Sequence, residues 1–251
     1  MNQLEGKVAI VTGAGKGLGR AFAVDLAKQG AKVVIVTRKD IEGLKKTYEE
    51  ILSVGSESLW FQVDVTRTED LNRMVAETIK MFGRIDILVN NAALIPVRKA
   101  FNDISPEEFG QVLSTNVMGA WLSTCAVFPS MKEQSKGKII NIASETFFTG
   151  SHGFVHYVAS KGGVVGVTRA LAAELGPFNI CVNVVAVGFT ETEAGSALVG
   201  GDVTKYDVSR TPLARLGQPG DVVGMVSFLA SDAADFITGQ TVLVNGGRFM
   251  H

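Results

Sequence analysis

The chain is poor in cysteine, histidine and proline, with 2, 3 and 6 of them in 251 residues. Cys125 and Cys181 have no CxxC spacing and sit among apolar neighbours, which reads as packed thiols in a reducing cytoplasm. One disulfide between them is the alternative. His152, His156 and His251 match no zinc spacing, so no metal site is expected. The charges nearly cancel, at a net of −1, and no long basic run appears, which argues against a nucleic-acid binder. No apolar run reads as long enough to span a bilayer, so no membrane partner is expected. Met1 to Lys7 is polar and leads straight into a strand, unlike a secretory signal. There is no repeat, low-complexity tract or linker.

What is abundant is apolar surface, since hydrophobic residues make up 46% of the chain, enough for one sizeable core. Val8–Val11, Val33–Val36, Leu59–Val63, Ile85–Val89, Ile139–Ile142, Ile180–Val185 and Thr241–Val244 read as buried strands. Between them the patterns predict helices at Leu18–Gln29, Ile41–Val54, Thr68–Phe82, Pro106–Met131, His156–Leu175 and Asp221–Ala230. Continuous β-branched strands alternating with helices predict a single α/β domain over residues 1–251. Its doubly wound, Rossmann-like parallel sheet has about seven strands and helices on both faces. Gly188–Gly217 breaks the rhythm. A long irregular segment after a strand's carboxyl end reads as a lid over a site.

Two segments carry chemistry. Strand Val8–Val11 runs through Thr12, Gly13, Ala14, Gly15, Lys16, Gly17, Leu18 and Gly19 into a helix. Glycines there allow a tight turn and close approach to a pyrophosphate, and the helix N-terminus offers free N–H groups. The alternative is a glycine-rich turn without a ligand. Far downstream, Tyr157 and Lys161 are spaced to share a helix face. A lysine cation beside a phenol lowers its pKa from about 10, so the phenol can exchange a proton with a carbonyl or alcohol oxygen. Ser144 ends a strand and can meet the same oxygen, or simply cap the next turn. Asn116 interrupts a helical pattern. It reads as a helix distortion holding a water near Lys161, or as an ordinary core amide.

These residues resemble the short-chain dehydrogenase/reductase family over essentially the full length. Thr12 to Gly19 is similar to TGxxxGxG. Asn90-Asn91-Ala92-Ala93 resembles NNAG, with Ala93 for glycine. Asp64 resembles the acidic residue at the adenine, followed by Val65. Val187-Gly188-Phe189-Thr190-Glu191-Thr192 resembles PGxxxT, with Val187 for proline. The resemblance implies a catalytic set of Asn116, Ser144, Tyr157 and Lys161. It also implies a cofactor site including Gly13, Lys16, Gly17, Leu18, Gly19, Asp64, Val65, Asn91, Gly188, Thr190 and Thr192, with Tyr157 and Lys161 at the nicotinamide end.

The second strand ends at Thr37, followed by Arg38, rather than at an acid. Thr37 and Arg38, helped by Lys16, suit a 2′-phosphate, so NADP(H) is favoured over NAD(H). Asp40 reads as the cap of the helix beginning near Ile41. The expected activity is hydride transfer between NADP(H) and a hydrophobic or aromatic ketone or secondary alcohol, as in a carbonyl reductase. An NAD-dependent alcohol dehydrogenase and a non-catalytic dinucleotide sensor are the alternatives. Leu94, Ile95, Pro96, Glu145, Thr146, Phe147, Phe148, His152, Phe154, Phe189 and Leu198 are candidates for substrate choice. The helix over His156–Leu175 is apolar almost all round, and the resemblance implies a homotetramer or homodimer.

Overall fold

The structure is a computed structural model describing residues 3–251. Met1 and Asn2, the start of the polar Met1–Lys7 segment, lie outside the described residues. The sheet has 7 parallel strands in the order β3-β2-β1-β4-β5-β6-β7. They are β1 (Val8–Thr12), β2 (Lys32–Thr37), β3 (Ser58–Gln62), β4 (Ile87–Asn90), β5 (Gly137–Ser144), β6 (Ile180–Val187) and β7 (Thr241–Val244). All but the outer strands β3 and β7 are sealed on both faces, which is why they read as unbroken β-branched runs. β3 alternates because one of its faces meets solvent, and Trp60 is exposed there.

Helices α1 (Gly17–Lys28), α2 (Ile41–Ser53) and α9 (Pro219–Ala230) cover one face. Phe22, Leu26, Leu44 and Val226 drive that packing, each fully buried. The other face is covered by α3 (Thr68–Phe82), α5 (Gly119–Gln134) and α7 (Val155–Leu175). Burying a Leu- or Phe-sized side chain is worth about 1.5–3 kcal/mol, so each layer is held by several such contacts. Asp40 caps α2 as expected, accepting from the Gly43 amide at 3.0 Å.

The helix predicted over Pro106–Met131 is three pieces in series. α4 (Pro106–Leu113) runs into a π-helical turn, Ser114–Met118, and then into α5. Asn116 sits in that π turn, so the expected distortion is there. The combined rod, Pro106–Gln134, is long and apolar enough by composition to cross a membrane, a length the sequence reading missed. Here it packs against α3, α7 and the sheet.

The strand order reverses between β1 and β4. Crossovers leave in opposite directions there, which opens a crevice at the strands' carboxyl ends. The glycine loop follows β1, Asn91 follows β4, Ser144 ends β5 and Gly188 follows β6. Four loops therefore converge on one edge.

Two short helices, α6 (Thr146–Thr149) and α8 (Glu193–Leu198), were not anticipated. α8 lies in the Gly188–Gly217 segment, whose only other helical piece is a 3-10 turn at Val203–Lys205. That segment is tied down by a bridge between Thr190 and Gly217 and by stacking of Phe189 on Tyr206, with centroids 3.9 Å apart. Val187 needs no proline to fix its backbone, because it pairs with Ser144 on one side and Val244 on the other. Both cysteines are free, and Cys125 is exposed rather than packed.

Candidate active site

A cavity of about 560 Å³ occupies the crevice, within the usual range for small-molecule sites. Its floor at one end is the glycine loop. A Cβ on Gly13 would come within 2.8 Å of the Ala92 Cα, and one on Gly19 would overlap the Gly13 carbonyl oxygen. Only glycine fits, because two loops pass each other there without side chains. Asn91 locks the crossing, donating to the carbonyls of Thr12 and Gly13 at 3.0 and 3.1 Å. The α1 N-terminus has no side-chain cap and no acid in its first turn. Its unpaired N–H groups and positive dipole end leave it suited to an anionic group.

Of the expected dinucleotide residues, Gly13, Lys16, Gly17, Leu18, Gly19, Thr37, Asn91, Gly188, Thr190 and Thr192 line this cavity. Arg38, Asp64 and Val65 lie outside its lining. Arg38 and Asp64 pair with each other at 3.7 Å. Burial pushes the Asp64 carboxyl up, but bonds from Thr66 and the Arg38 charge outweigh it and leave it below the usual range. Asp40 also lines the cavity. Gly15, part of the expected glycine loop, lines it as well, and Asp40, expected only as a helix cap, is an addition. Ala93, standing for glycine, is exposed and lines the cavity.

At the other end Ser144, Tyr157 and Lys161 line the same cavity. The β5–β6 register sets Ser144 opposite Val187 at the strands' ends. The turn-capping reading of Ser144 holds. Its oxygen accepts from the Thr146 amide and hydroxyl at 3.2 and 3.0 Å, capping the turn, which leaves its own proton free for another partner. Tyr157 packs on Phe154, centroids 4.8 Å apart. The Lys161 ammonium lies 5.5 Å from the Tyr157 ring centroid and donates to the Ile142 carbonyl at 2.8 Å.

The expectation that Lys161 acidifies Tyr157 is corrected here. Burial pushes the phenol up to about 12, with the Ser144 hydroxyl opposing it. Burial likewise takes Lys161 down to about 8. Desolvation penalises whichever form is charged, and it is the largest cause at both groups. The phenol is thus held as an acid.

Asn116 does not line the cavity. Its carbonyl accepts from the Leu94 amide at 2.7 Å, and its amide donates to the Leu94 carbonyl at 3.1 Å and to Ser160 Oγ at 2.9 Å. Ser160 in turn donates to the Tyr157 carbonyl at 2.7 Å. Asn116 therefore clamps the loop after β4 to the Tyr157 turn of α7, which is the core-amide reading with a structural consequence.

Among the substrate-side candidates, Ile95, Glu145, Thr146, Phe154, Phe189 and Leu198 line the cavity. Leu94, Pro96, Phe147, Phe148 and His152 do not. Phe147 and Phe148 pack against the core, and the His152 carbonyl accepts from Arg98. Sequence reasoning missed Arg98, Tyr206 and Arg248. They come from three distant segments that share no motif, and only folding juxtaposes them.

The comparisons agree with this geometry. A family model described as enoyl-(acyl carrier protein) reductase, adh_short_C2, matches residues 13–248. A 3-oxoacyl-[acyl-carrier-protein] reductase FabG of Staphylococcus aureus is 37% identical over 97% of this chain and 98% of its own. The chain belongs to the short-chain dehydrogenase/reductase family. A FabG of Aquifex aeolicus is 39% identical over 98% of this chain and 99% of its own. Levodione reductase superposes with a TM-score of 0.92 at 31% identity over 98% of both chains. A short-chain type dehydrogenase/reductase from Mycobacterium marinum gives 0.93 at 34% identity, over 100% of this chain and 98% of that one. The protein is an oxidoreductase of this family, acting at the level of CH–OH and C=O groups.

Proposed function

We propose that the protein is an NADP(H)-dependent carbonyl reductase acting on a hydrophobic or aromatic ketone, or on the matching secondary alcohol in reverse. One observation carries this reading. Ser144, Tyr157 and Lys161 open onto the same cavity as the glycine loop and the uncapped α1 N-terminus. When bound, the dinucleotide supplies or accepts the hydride at its nicotinamide carbon.

The chain's own groups handle the oxygen and the proton. Ser144 donates to the substrate oxygen and steadies the charge that develops there. Tyr157 gives its phenolic proton to that oxygen in reduction, breaking its own O–H bond as the alcohol O–H forms. It takes the proton back in oxidation. Lys161, held by the Ile142 carbonyl, keeps a cation beside the phenolate that results. Asn116 keeps Tyr157 in register through Ser160, and the expected water relay would run past it to solvent.

Thr37 and Lys16 at the adenosine end support NADP(H). The Asp40 carboxylate is engaged by the Gly43 amide at 3.0 Å, and Arg38 is exposed enough to turn from Asp64 toward a phosphate. NAD(H) is the competing cofactor. The printed names of the relatives favour a second substrate reading, a 3-oxoacyl group borne on a carrier protein. The aromatic wall of Phe154, Phe189 and Tyr206 favours a free ring ketone. A homodimer or homotetramer working in the cytoplasm completes the proposal.

Titration of protein fluorescence with NADPH and NADH, followed by a screen of ring ketones and an acetoacetyl thioester with the tighter cofactor, tests it. NADPH binding with ring-ketone turnover is expected. Thioester turnover alone would favour the second reading, and no dinucleotide binding would defeat both.

A further inference from the structure

Glu145 is a buried carboxylate at the substrate end of the cavity, among Phe154, Phe189, Tyr206 and the two arginines Arg98 and Arg248. It follows Ser144 directly, lines the same cavity as Tyr157, and is only 6% exposed. One of its oxygens, Oε2, accepts from Asn245 Nδ2 at 3.0 Å. Its other oxygen has no hydrogen-bond donor among the described residues. No cation lies within ion-pair distance of it either. Arg248 acts on it only at longer range; that guanidinium is taken by the Asp207 carbonyl at 2.6 Å and stacks over Tyr206 at 4.8 Å. Burial pushes the Glu145 carboxyl up.

A carboxylate with one oxygen bonded to Asn245 and the other open to the cavity can receive a further donor there. Its place is fixed. The Glu145 amide donates to the Val187 carbonyl at 3.0 Å, and the close Gly188–Asn245 approach, where a Cβ on Gly188 would lie 2.7 Å from Asn245 Cβ, holds Asn245 against it. A rigid, underused acceptor beside the reacting oxygen is a recognition group.

We propose that Glu145 selects substrates carrying a hydrogen-bond donor, a hydroxyl or an ammonium, on the body of the ketone, and receives that donor on its free oxygen. This rests on the cavity being a carbonyl site. It identifies the substrate as a hydroxylated or aminated ring ketone rather than a plain hydrocarbon one. A charge-assisted bond of this kind changes affinity about ten- to a hundredfold.

The test uses the full chain with NADPH and four probes: benzylacetone and its ring-hydroxyl, ring-aminomethyl and ring-carboxyl derivatives. Binding is read by calorimetry and turnover by NADPH absorbance. The hydroxyl and aminomethyl compounds should bind and react about tenfold or more better than the parent, and the carboxyl compound worse. Glu145→Gln keeps an acceptor for Asn245 and should cut the aminomethyl preference at least tenfold while sparing part of the hydroxyl preference. Glu145→Leu should remove both. A best response to the parent or the carboxyl compound, or preferences that survive in both variants, would overturn the inference. Donor-selective binding without turnover would instead overturn the reductase reading and leave this one standing. Turnover without donor preference would do the reverse, and neither binding nor turnover would end both.

Discussion

Replacing Gly19 with alanine tests whether the loop crossing is what builds the dinucleotide end. The new methyl would overlap the Gly13 carbonyl oxygen and come within 2.5 Å of Asn91 Nδ2. Neither neighbour can yield cheaply. The Gly13 carbonyl is backbone, and Asn91 is held by its bonds to Thr12 and Gly13. Forced overpacking costs about 1–3 kcal/mol. Losing one of the Asn91 bonds adds about 0.5–1.5 kcal/mol. The expected destabilisation is therefore about 2–4 kcal/mol, a fall in Tm of roughly 5–15 °C for a chain of this length. NADPH affinity should drop at least tenfold, because the amides that would face the pyrophosphate move with the loop. Gly110→Ala in α4 is the control, since a Cβ there meets nothing. It should stabilise by about 0.5–1 kcal/mol. Thermal melts and fluorescence titrations read both variants. A Gly19→Ala protein that melts within about 2 °C of wild type and binds NADPH equally well would refute the close-crossing argument.

Two other variants probe the charges. Lys161 is depressed to about 8 from 10.5, so the folded chain binds fewer protons than the unfolded one between those values, and its stability rises with pH there. Lys161→Met should thus stabilise the cofactor-free protein by about 1–3 kcal/mol below pH 8, with the gain shrinking toward pH 10.5; urea unfolding at several pH values checks this, and a pH-independent difference would contradict it. Arg38→Asp should weaken NADPH at least tenfold relative to NADH, since a second acid would stand beside Asp64. An unchanged cofactor preference in titrations would remove Arg38 from the site.

Most of the scaffold was legible because buried parallel strands leave an unmistakable β-branched record. Thr68–Phe82 and Thr241–Val244 coincide with their expected limits. β5 and β6 extend further than their apolar runs, because the ladder carries Gly137, Ser144 and Val187 along with it. α6 and α8 escaped notice because they are single-turn features set by local caps, such as Thr192 accepting from the Gly195 amide. The glycine loop, Ser144, Tyr157 and Lys161 were found because spacing encodes their placement.

What spacing does not encode is dielectric environment. The Tyr157–Lys161 pair was read as mutually stabilising, yet burial drives both toward their neutral forms. Arg38 was placed by sequence distance alone, which could not anticipate its pairing with Asp64. Cys125 was judged by its neighbours in the chain rather than by the outward face of α5. Glu145 stood only among the candidates for substrate choice, and the fold shows it enclosed against Asn245.

The central claim is that the Tyr157 hydroxyl carries the proton. Tyr157→Phe keeps the ring against Phe154 and removes only that hydroxyl. Rapid-mixing measurement of NADPH oxidation by this variant, with a ketone that wild type reduces, decides the matter. The account predicts a rate lowered about 10²–10⁴-fold with NADPH affinity unchanged. A rate within a few-fold of wild type would contradict it.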